Sequence, residues 1–323
     1  MQKVSERIRL VSQELSLENT TYCGANCLFC PREEYSFKWE HMNTAFFKKI
    51  IDQAAELGMR SLAIGGFGDS FLDPEFEDKL FYVKQKYPFM KVSASSTCHV
   101  VGPDTLKWLG PLVDTFKISL FGTTKEVYEK IHGRGLKFEK VMENIKGVFA
   151  LPKDKRPYII MLFLVNKDNE HQVEAWKKQW EPLADEVMVW LPHNWAGKFV
   201  TASKKGYDEN TETSPKSCGR PSKGNLVVRA NGQVSMCCFD FNRDLLIGDL
   251  RQQTLKQVLA GEALRKIKEV HEQGTFSQCE YICKDCDQIH SRQDALLYRS
   301  NPNRKVGIIN SHPDKDLMND LLK

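Results

Sequence analysis

From residue 14 to about 192, short apolar runs rich in β-branched residues alternate with amphipathic stretches of helical period. A strand must reach its parallel neighbour through a crossover, and a helix is the usual crossover, so this alternation implies a parallel sheet with helices packed on it. Strands are expected near Glu14–Glu18, Ser61–Gly65, Lys91–Ser95, Val113–Leu120, Tyr158–Val165 and Glu186–Leu191. The first helix shows the pattern. Phe46, Phe47, Ile50, Ile51, Ala54 and Leu57 recur at helical spacing, Asn43 or Thr44 can cap the start, and Gly58 can end it. Six βα units are two short of an eight-fold barrel, so the expected fold is α/β, a partial, open (β/α)6 barrel whose working edge is the strand C-termini.

The 323 residues leave room for a second, smaller unit. Residues 201–224 have almost no apolar content and are expected to be a linker or long loop, separating a barrel over 1–200 from a unit over 225–290 and a polar C-terminal tail over 291–323. In the second unit Asn225–Ala230 and Val234–Cys238 flank Asn231-Gly232, a signal for a two-residue type I′ hairpin turn. A helix is expected over roughly Thr254–His271, with a cysteine-bearing loop after it and a surface-wrapping tail.

Hydrophobic residues make up 41% and charged residues 27%, which excludes a disordered or collagen-like chain. The longest apolar run, Tyr158 to Val165, is far below a membrane span, and residues 1–20 lack a signal-peptide core, so a cytoplasmic protein without membrane partners is expected. Lys and Arg number 46 against 42 Asp and Glu, interspersed, and no basic block suggests a nucleic-acid partner.

The ten cysteines carry the chemistry. In a reducing compartment clustered thiols read as metal ligands or catalytic groups before disulfides. They fall into Cys23, Cys27 and Cys30; Cys218, Cys237 and Cys238; and Cys279, Cys283 and Cys286, with Cys98 alone and expected to be a small buried apolar residue. Three thiols within eight residues, directly after the first expected strand, suit an iron–sulfur cube with one open iron; a zinc site or unpaired thiols are the alternatives.

Cys23-x3-Cys27-x-Phe29-Cys30 resembles the CxxxCxΦC signature of the radical S-adenosylmethionine (SAM) superfamily, with Phe29 as the aromatic residue. Gly65-Gly66-Phe67-Gly68-Asp69 resembles that family's glycine-rich GGE-type motif with two residues inserted before the acid. Glycines there let the backbone approach the methionine ammonium. Ser95 and Ser96 end the third strand, and Ser119 ends the fourth in a segment similar to the family's "ISLDG" strand end, which places the hydroxyls of Ser96 and Ser119 near the ribose or carboxylate. Residues 128–135 resemble "YxxIRGxG", but His132 stands where arginine is common, which leaves Arg134 as the carboxylate's expected partner. The resemblance implies a [4Fe-4S] cluster chelated by SAM, reductive cleavage to a 5′-deoxyadenosyl radical, and hydrogen-atom abstraction from a substrate.

Cys218, thirteen residues, Gly232-x4-Cys237, and later Cys283-x2-Cys286 resemble the C-terminal auxiliary-cluster domain called SPASM in its shorter twitch form. That likeness implies a second, auxiliary [4Fe-4S] cluster on Cys218, Cys237, Cys283 and Cys286, with Cys218 contributed from the linker and Cys238 and Cys279 spare; a zinc ribbon on the same thiols is the alternative. A fully ligated cluster passes electrons. Only about thirteen residues precede the first strand, without a peptide-recognition domain, so the expected substrate is a small polar metabolite of sugar, amino sugar or cyclitol type, oxidised by two electrons. A radical SAM peptide maturase is the second reading and a non-catalytic zinc protein the third. His193, beside Trp195 at the expected barrel mouth, and Asp240 are candidate bases. An electron donor such as flavodoxin or ferredoxin is the expected partner.

Overall fold

The computed structural model describes residues 14–35, 38–133, 135–198, 217–223, 226–290 and 295–302. Six parallel strands run β1 (Glu14–Leu17), β2 (Ser61–Ile64), β3 (Lys91–Ser96), β4 (Thr115–Ser119), β5 (Tyr158–Leu164) and β6 (Glu186–Trp190), paired in chain order. Between them lie α1 (Thr44–Glu56), α2 (Phe76–Lys86), α3 (Pro103–Leu112), α4 (Lys125–His132), α5 (Phe138–Ala150) and α6 (Val173–Trp180). The Asn43 side chain caps α1 by accepting from the amides of Ala45 and Phe46, and Phe47, Ile50, Ile51 and Ala54 bury the face expected from the periodicity.

β1 and β6 do not pair, so the six strands form an open barrel wall, as the missing two βα units imply. Both open edges are covered by C-terminal chain. β7 (Leu226–Val228), which follows the short α7 (Arg220–Lys223), adds parallel to β1, and β8 (Gln233–Ser235) and β9 (Leu246–Asp249) extend the sheet antiparallel beyond it. The helices α8 (Leu255–Leu259) and α9 (Glu262–Gln273) follow, then α10 (Asp287–His290), and β10 (Leu296–Arg299) pairs antiparallel with β6.

Four expectations change here. The Asn231-Gly232 turn is not type I′, which needs positive φ at both residues. Of the two only Gly232 has positive φ, at +93°; its amide donates to the Arg229 carbonyl while Arg229 N donates to the Gln233 carbonyl, a three-residue turn with a glycine bulge. The helix over 254–271 is two helices, because the chain turns at Gly261 and restarts. The polar tail supplies β10, whose register with β6 is reinforced by Arg299 donating to buried Glu186 at 2.6 and 2.9 Å. The linker contains α7, while residues 201–216 and Arg134 lie outside the described residues. Among the described residues no helix is long and apolar enough to cross a membrane.

Strand pleating sets the interior. In β1 to β4 the residues Leu15, Leu17, Leu62, Ile64, Val92, Phe116 and Ile118 are buried on one face, and the alternate face carries Ser16, Ala63, Ser93, Ser95, Lys117 and Ser119. Barrel interiors are usually filled by branched side chains. Here the small ones leave a cavity of about 380 Å3, whose lining includes those six residues and apolar side chains such as Phe67, Phe121, Leu162 and Leu164.

Candidate functional site: two groups of thiols and a barrel cavity

The loop after β1 carries Cys23, Cys27 and Cys30, all half-buried. It is built from outside itself. Asn26 N and Leu28 N donate to the carbonyls of His132 and Ile131 at the end of α4, at 2.7 and 3.0 Å. Arg32, 3% exposed, reaches from the same loop to the carbonyls of Phe67 (2.5 Å) and Thr21 (3.2 Å) and lies over the Trp39 ring at 4.3 Å. Phe29 packs edge-on against Phe121 at 5.1 Å, and its carbonyl accepts from Trp195 Nε1 at 2.8 Å. Burial, then the nearby Asp69 charge, pushes the Cys23 thiol up to about 11; burial, then Cys30 and Cys23, pushes Cys27 well up.

The glycine-rich loop after β2 is shaped by close approach. Gly65 and Gly66 hold φ of +156° and +155°, and a Cβ would meet Ser95 Oγ at 2.5 Å and Glu18 Oε2 at 2.7 Å. Both line the cavity. Gly68 serves differently: its Cβ would sit 2.1 Å from the Thr20 carbonyl oxygen, and the next amide, Asp69 N, donates to the Tyr22 carbonyl at 2.8 Å, so this position clamps the cysteine loop. We expect Gly66→Ala to abolish SAM binding, measured by equilibrium dialysis, because strain and the Glu18 clash both displace the loop. Wild-type affinity in that variant would contradict this account of the loop.

The structure redistributes several roles. Asp69 does not line the cavity. Its Oδ2 accepts from Ser96 Oγ, Thr97 N and Thr97 Oγ1 at 2.9 to 3.0 Å and its Oδ1 from Phe71 N. Burial works to raise this carboxyl, but His99 and then Thr97 and Ser96 overcome it and hold it low. Ser96 is buried on Asp69, and the cavity side of β3 belongs to Ser95, because neighbours on a strand face opposite ways. Ser119 does line the cavity. Cys98, fully buried, adopts φ of +65° with its amide on Ser96 Oγ.

Of the second group only Cys238 lines the cavity, beside Arg220. Arg220 lies amid Cys238, Cys218, Cys237 and Cys286; burial would lower its guanidinium, and those thiols in that order hold it up instead. Burial, then Cys218, pushes Cys283 up to about 12. Cys218 lies near Cys283 and Cys286, Cys237 near Cys238 and Cys286, and Cys279 turns its sulfur to the Phe276 carbonyl at 3.2 Å. Asp240 is a scaffold, not a cavity-facing base: it accepts from Ser235 Oγ (2.7 Å), Asp244 N (2.7 Å) and Leu245 N (3.0 Å).

The segment after β6 touches both cysteine-bearing loops, through Trp195 to Phe29 and Asn194 to Asp285 and Asp287. His193 stacks on Phe239 with centroids 3.4 Å apart, and Trp195 meets His193 edge-on at 4.3 Å. Trp195 and Ala196 both hold positive φ, at +51° and +55°, strain of a kind found at functional sites. Asn194 restrains them by donating to Asp287 Oδ2 (2.5 Å) and the Asp285 carbonyl (3.0 Å) beside Cys286. Burial, then Arg220, pushes His193 well below the usual imidazole range, and Trp195 N donates to its Nδ1 at 3.1 Å. The neutral ring thus presents Nε2–H, which corrects its expected role as a base to that of a donor.

Both donor sets suit a cluster. Among the described residues no three His, Cys, Asp or Glu side chains close on a point fit for a single metal ion, while the thiols are near enough to raise one another's pKa. Neighbouring thiols, once deprotonated, are the ligand type that an iron–sulfur cluster takes.

A family model described as the Radical SAM superfamily matches residues 17–178, half of the chain. The chain belongs to the radical SAM superfamily. A model described as an iron–sulfur cluster-binding domain, SPASM, matches residues 218–287 of this radical SAM protein. With these two domains come a SAM-binding [4Fe-4S] cluster, SAM itself and auxiliary iron–sulfur centres. No curated protein sequence matches it. Among solved structures it resembles BtrN in complex with AdoMet and 2-DOIA (17% identity, 88% of this chain and 98% of that one, TM-score 0.61). It also resembles Streptococcus suis SuiB bound to precursor peptide SuiA (14%, 82% and 69%, TM-score 0.64) and anSMEcpe with bound AdoMet (16%, 88% and 89%, TM-score 0.61). At these identities the likeness establishes the shared fold.

Sequence reading missed Glu18, Arg32, Arg220, Arg229 and Lys117. Two signals were present: Glu18 ends the first expected strand at the working edge, and Arg220 follows Cys218 by two residues.

Proposed function

We propose that this radical SAM enzyme oxidises an alcohol or amine carbon of a small polar metabolite by two electrons, with Cys23, Cys27 and Cys30 holding the SAM-binding cluster and Cys218, Cys237, Cys283 and Cys286 the auxiliary one. The observation that carries the reading is a cavity of about 380 Å3 whose lining includes Gly65, Gly66, Cys238 and Arg220. That volume suits a small ligand. When bound, the cluster and SAM supply a 5′-deoxyadenosyl radical, and the auxiliary cluster supplies an electron acceptor.

The chain's own residues do the rest. Ser16, Ser93, Ser95 and Ser119 offer hydroxyls to a polyhydroxylated ligand, and His193 Nε2–H points a donor at the mouth. Phe239 and Trp195 close over the opening and exclude water, and Trp195 ties that closure to the cysteine loop through the Phe29 carbonyl. In the net reaction one hydrogen atom, one electron and one proton leave the reacting carbon and its heteroatom. A flavodoxin or ferredoxin is the proposed donor for the cleavage step. BtrN is complexed with 2-DOIA and SuiB with a precursor peptide, so shared fold does not choose between substrate classes, and the four serines set in a mostly apolar lining are what supports the small polar one.

With substrate deuterated at the reacting carbon, we expect the label in 5′-deoxyadenosine at about one equivalent per product, as single-use abstraction requires. In Cys218→Ala, SAM cleavage persists and product formation fails. Label returning to product, or an unchanged product yield in that variant, overturns the oxidative reading. Turnover of a precursor peptide by the loaded enzyme, with none of polyols or amino sugars, overturns the small substrate.

A further inference from the structure

His132 occupies the position where the family motif commonly has arginine, and the structure gives it a defined chemical state. The side chain is fully buried, and its ring lies between Phe121, nearly parallel at 6° with centroids 4.8 Å apart, and Tyr128 at 4.3 Å. The backbone is equally constrained. The His132 carbonyl accepts from Asn26 N, and Gly133, with φ of +59°, leaves no room for a Cβ, which would sit 2.9 Å from the Asn26 carbonyl oxygen. The ring therefore cannot turn away from the cysteine loop.

Its two nitrogens face different partners. Phe121 N lies 3.3 Å from Nε2, and a backbone amide only donates, so Nε2 carries the lone pair. In the neutral ring the hydrogen is then on Nδ1, and Nδ1 lies 3.5 Å from Cys27 Sγ. The second thiol group has a superficially similar contact, His271 Nε2 to Cys283 Sγ at 3.4 Å. There the other nitrogen meets the Ser217 hydroxyl, which donates or accepts, so the tautomer is not set.

We propose that His132 donates its Nδ1 hydrogen to the Cys27 sulfur and thereby raises the reduction potential of the SAM-binding cluster. The inference rests on the reading of Cys27 as a cluster ligand. Adding an electron makes a cluster more negative, and a hydrogen bond to a ligand sulfur stabilises the more negative state most, which is how sulfur hydrogen bonds tune such centres. His132 is a positioning residue: it touches a ligand and not the reacting atoms.

Two substitutions separate its two contacts. His132→Asn keeps an amide donor at the Nδ1 position and loses the Phe121 partner; His132→Gln keeps a group for the Phe121 amide and loses the reach to Cys27. Each loaded protein is titrated under anaerobic conditions, following the EPR signal that SAM perturbs, with iron content measured in parallel. In His132→Gln we expect the reduced-to-oxidised ratio at a fixed applied potential to fall roughly tenfold, the size expected of losing one charge-assisted hydrogen bond, while His132→Asn stays near wild type. Equal potentials in all three proteins, or the same drop in both variants, overturn the proposal.

If either variant fails to load, the unsubstituted holoprotein labelled with 15N-histidine provides the readout. A nitrogen hyperfine coupling on the SAM-responsive cluster supports the hydrogen bond, and its absence overturns it. Failure of the underlying reading has a different signature, full iron retention in Cys27→Ala.

Discussion

Replacing Cys23, Cys27 and Cys30 together with alanine is expected to abolish cleavage of SAM and to remove about half of the iron, since two clusters of one type share it. The loop stays in place without them, because it is anchored through Asn26 and Leu28 to the end of α4 and through Arg32 to Phe67 and Thr21. The loss therefore reports ligation and not collapse. Loading should also depend on pH in a definite direction. Burial first, then neighbouring charges, holds Cys23 near 11 and pushes Cys27 well up, so both thiols must lose protons to bind iron, and uptake by the apoprotein should improve as pH rises through the neutral range. Iron analysis and 5′-deoxyadenosine release measure the two effects. Cleavage surviving in the triple variant means the radical-generating cluster is held elsewhere.

The wall of the barrel was legible because its signals are local. Helical spacing in residues 46–57 and the β-branched runs mark elements of parallel topology, and cysteine spacing marks the two cysteine-bearing segments with no tertiary information. What failed depended on pleat, on turns and on distant pairing. Ser95 and Ser96 are chemically alike, and only the phase of β3 decides that Ser95 meets the cavity while Ser96 serves Asp69. Asp240 resembles a free acid in the sequence, yet the turn after β8 consumes both its oxygens. β10 is four residues in a polar tail, and it is a strand because β6 presents an open edge. Glu18 and Arg229 lie more than two hundred residues apart, and nothing local links them.

That distant pair carries the second large expectation. Glu18 and Arg229 approach to 3.9 Å with side chains 1% and 2% exposed. Glu18 Oε2 accepts from Phe67 N in the glycine-rich loop, Oε1 faces Ala230 N, and Arg229 Nη2 donates to the carbonyls of Cys237 (3.2 Å) and Asp240 (2.7 Å). The pair thus holds the glycine-rich loop on one side and the Cys237 segment on the other. Removing one member of a buried pair leaves an uncompensated charge, so Arg229→Ala should cost about 3–5 kcal/mol. Burial raises the Glu18 carboxyl, with Arg229 the first of the influences opposing it. Without Arg229 that folded-state pKa rises further above the unfolded one. The native state then binds the extra proton, so the variant's stability should fall as pH climbs from the unfolded carboxylate range towards the folded value. Adding Glu18→Gln removes the stranded charge and should recover most of the loss and flatten the pH dependence. Anaerobic urea unfolding of the loaded proteins at several pH values tests this. A double variant no more stable than Arg229→Ala would mean that the arginine acts through its two carbonyl contacts alone, and that the carboxylate plays no part in joining the two sites.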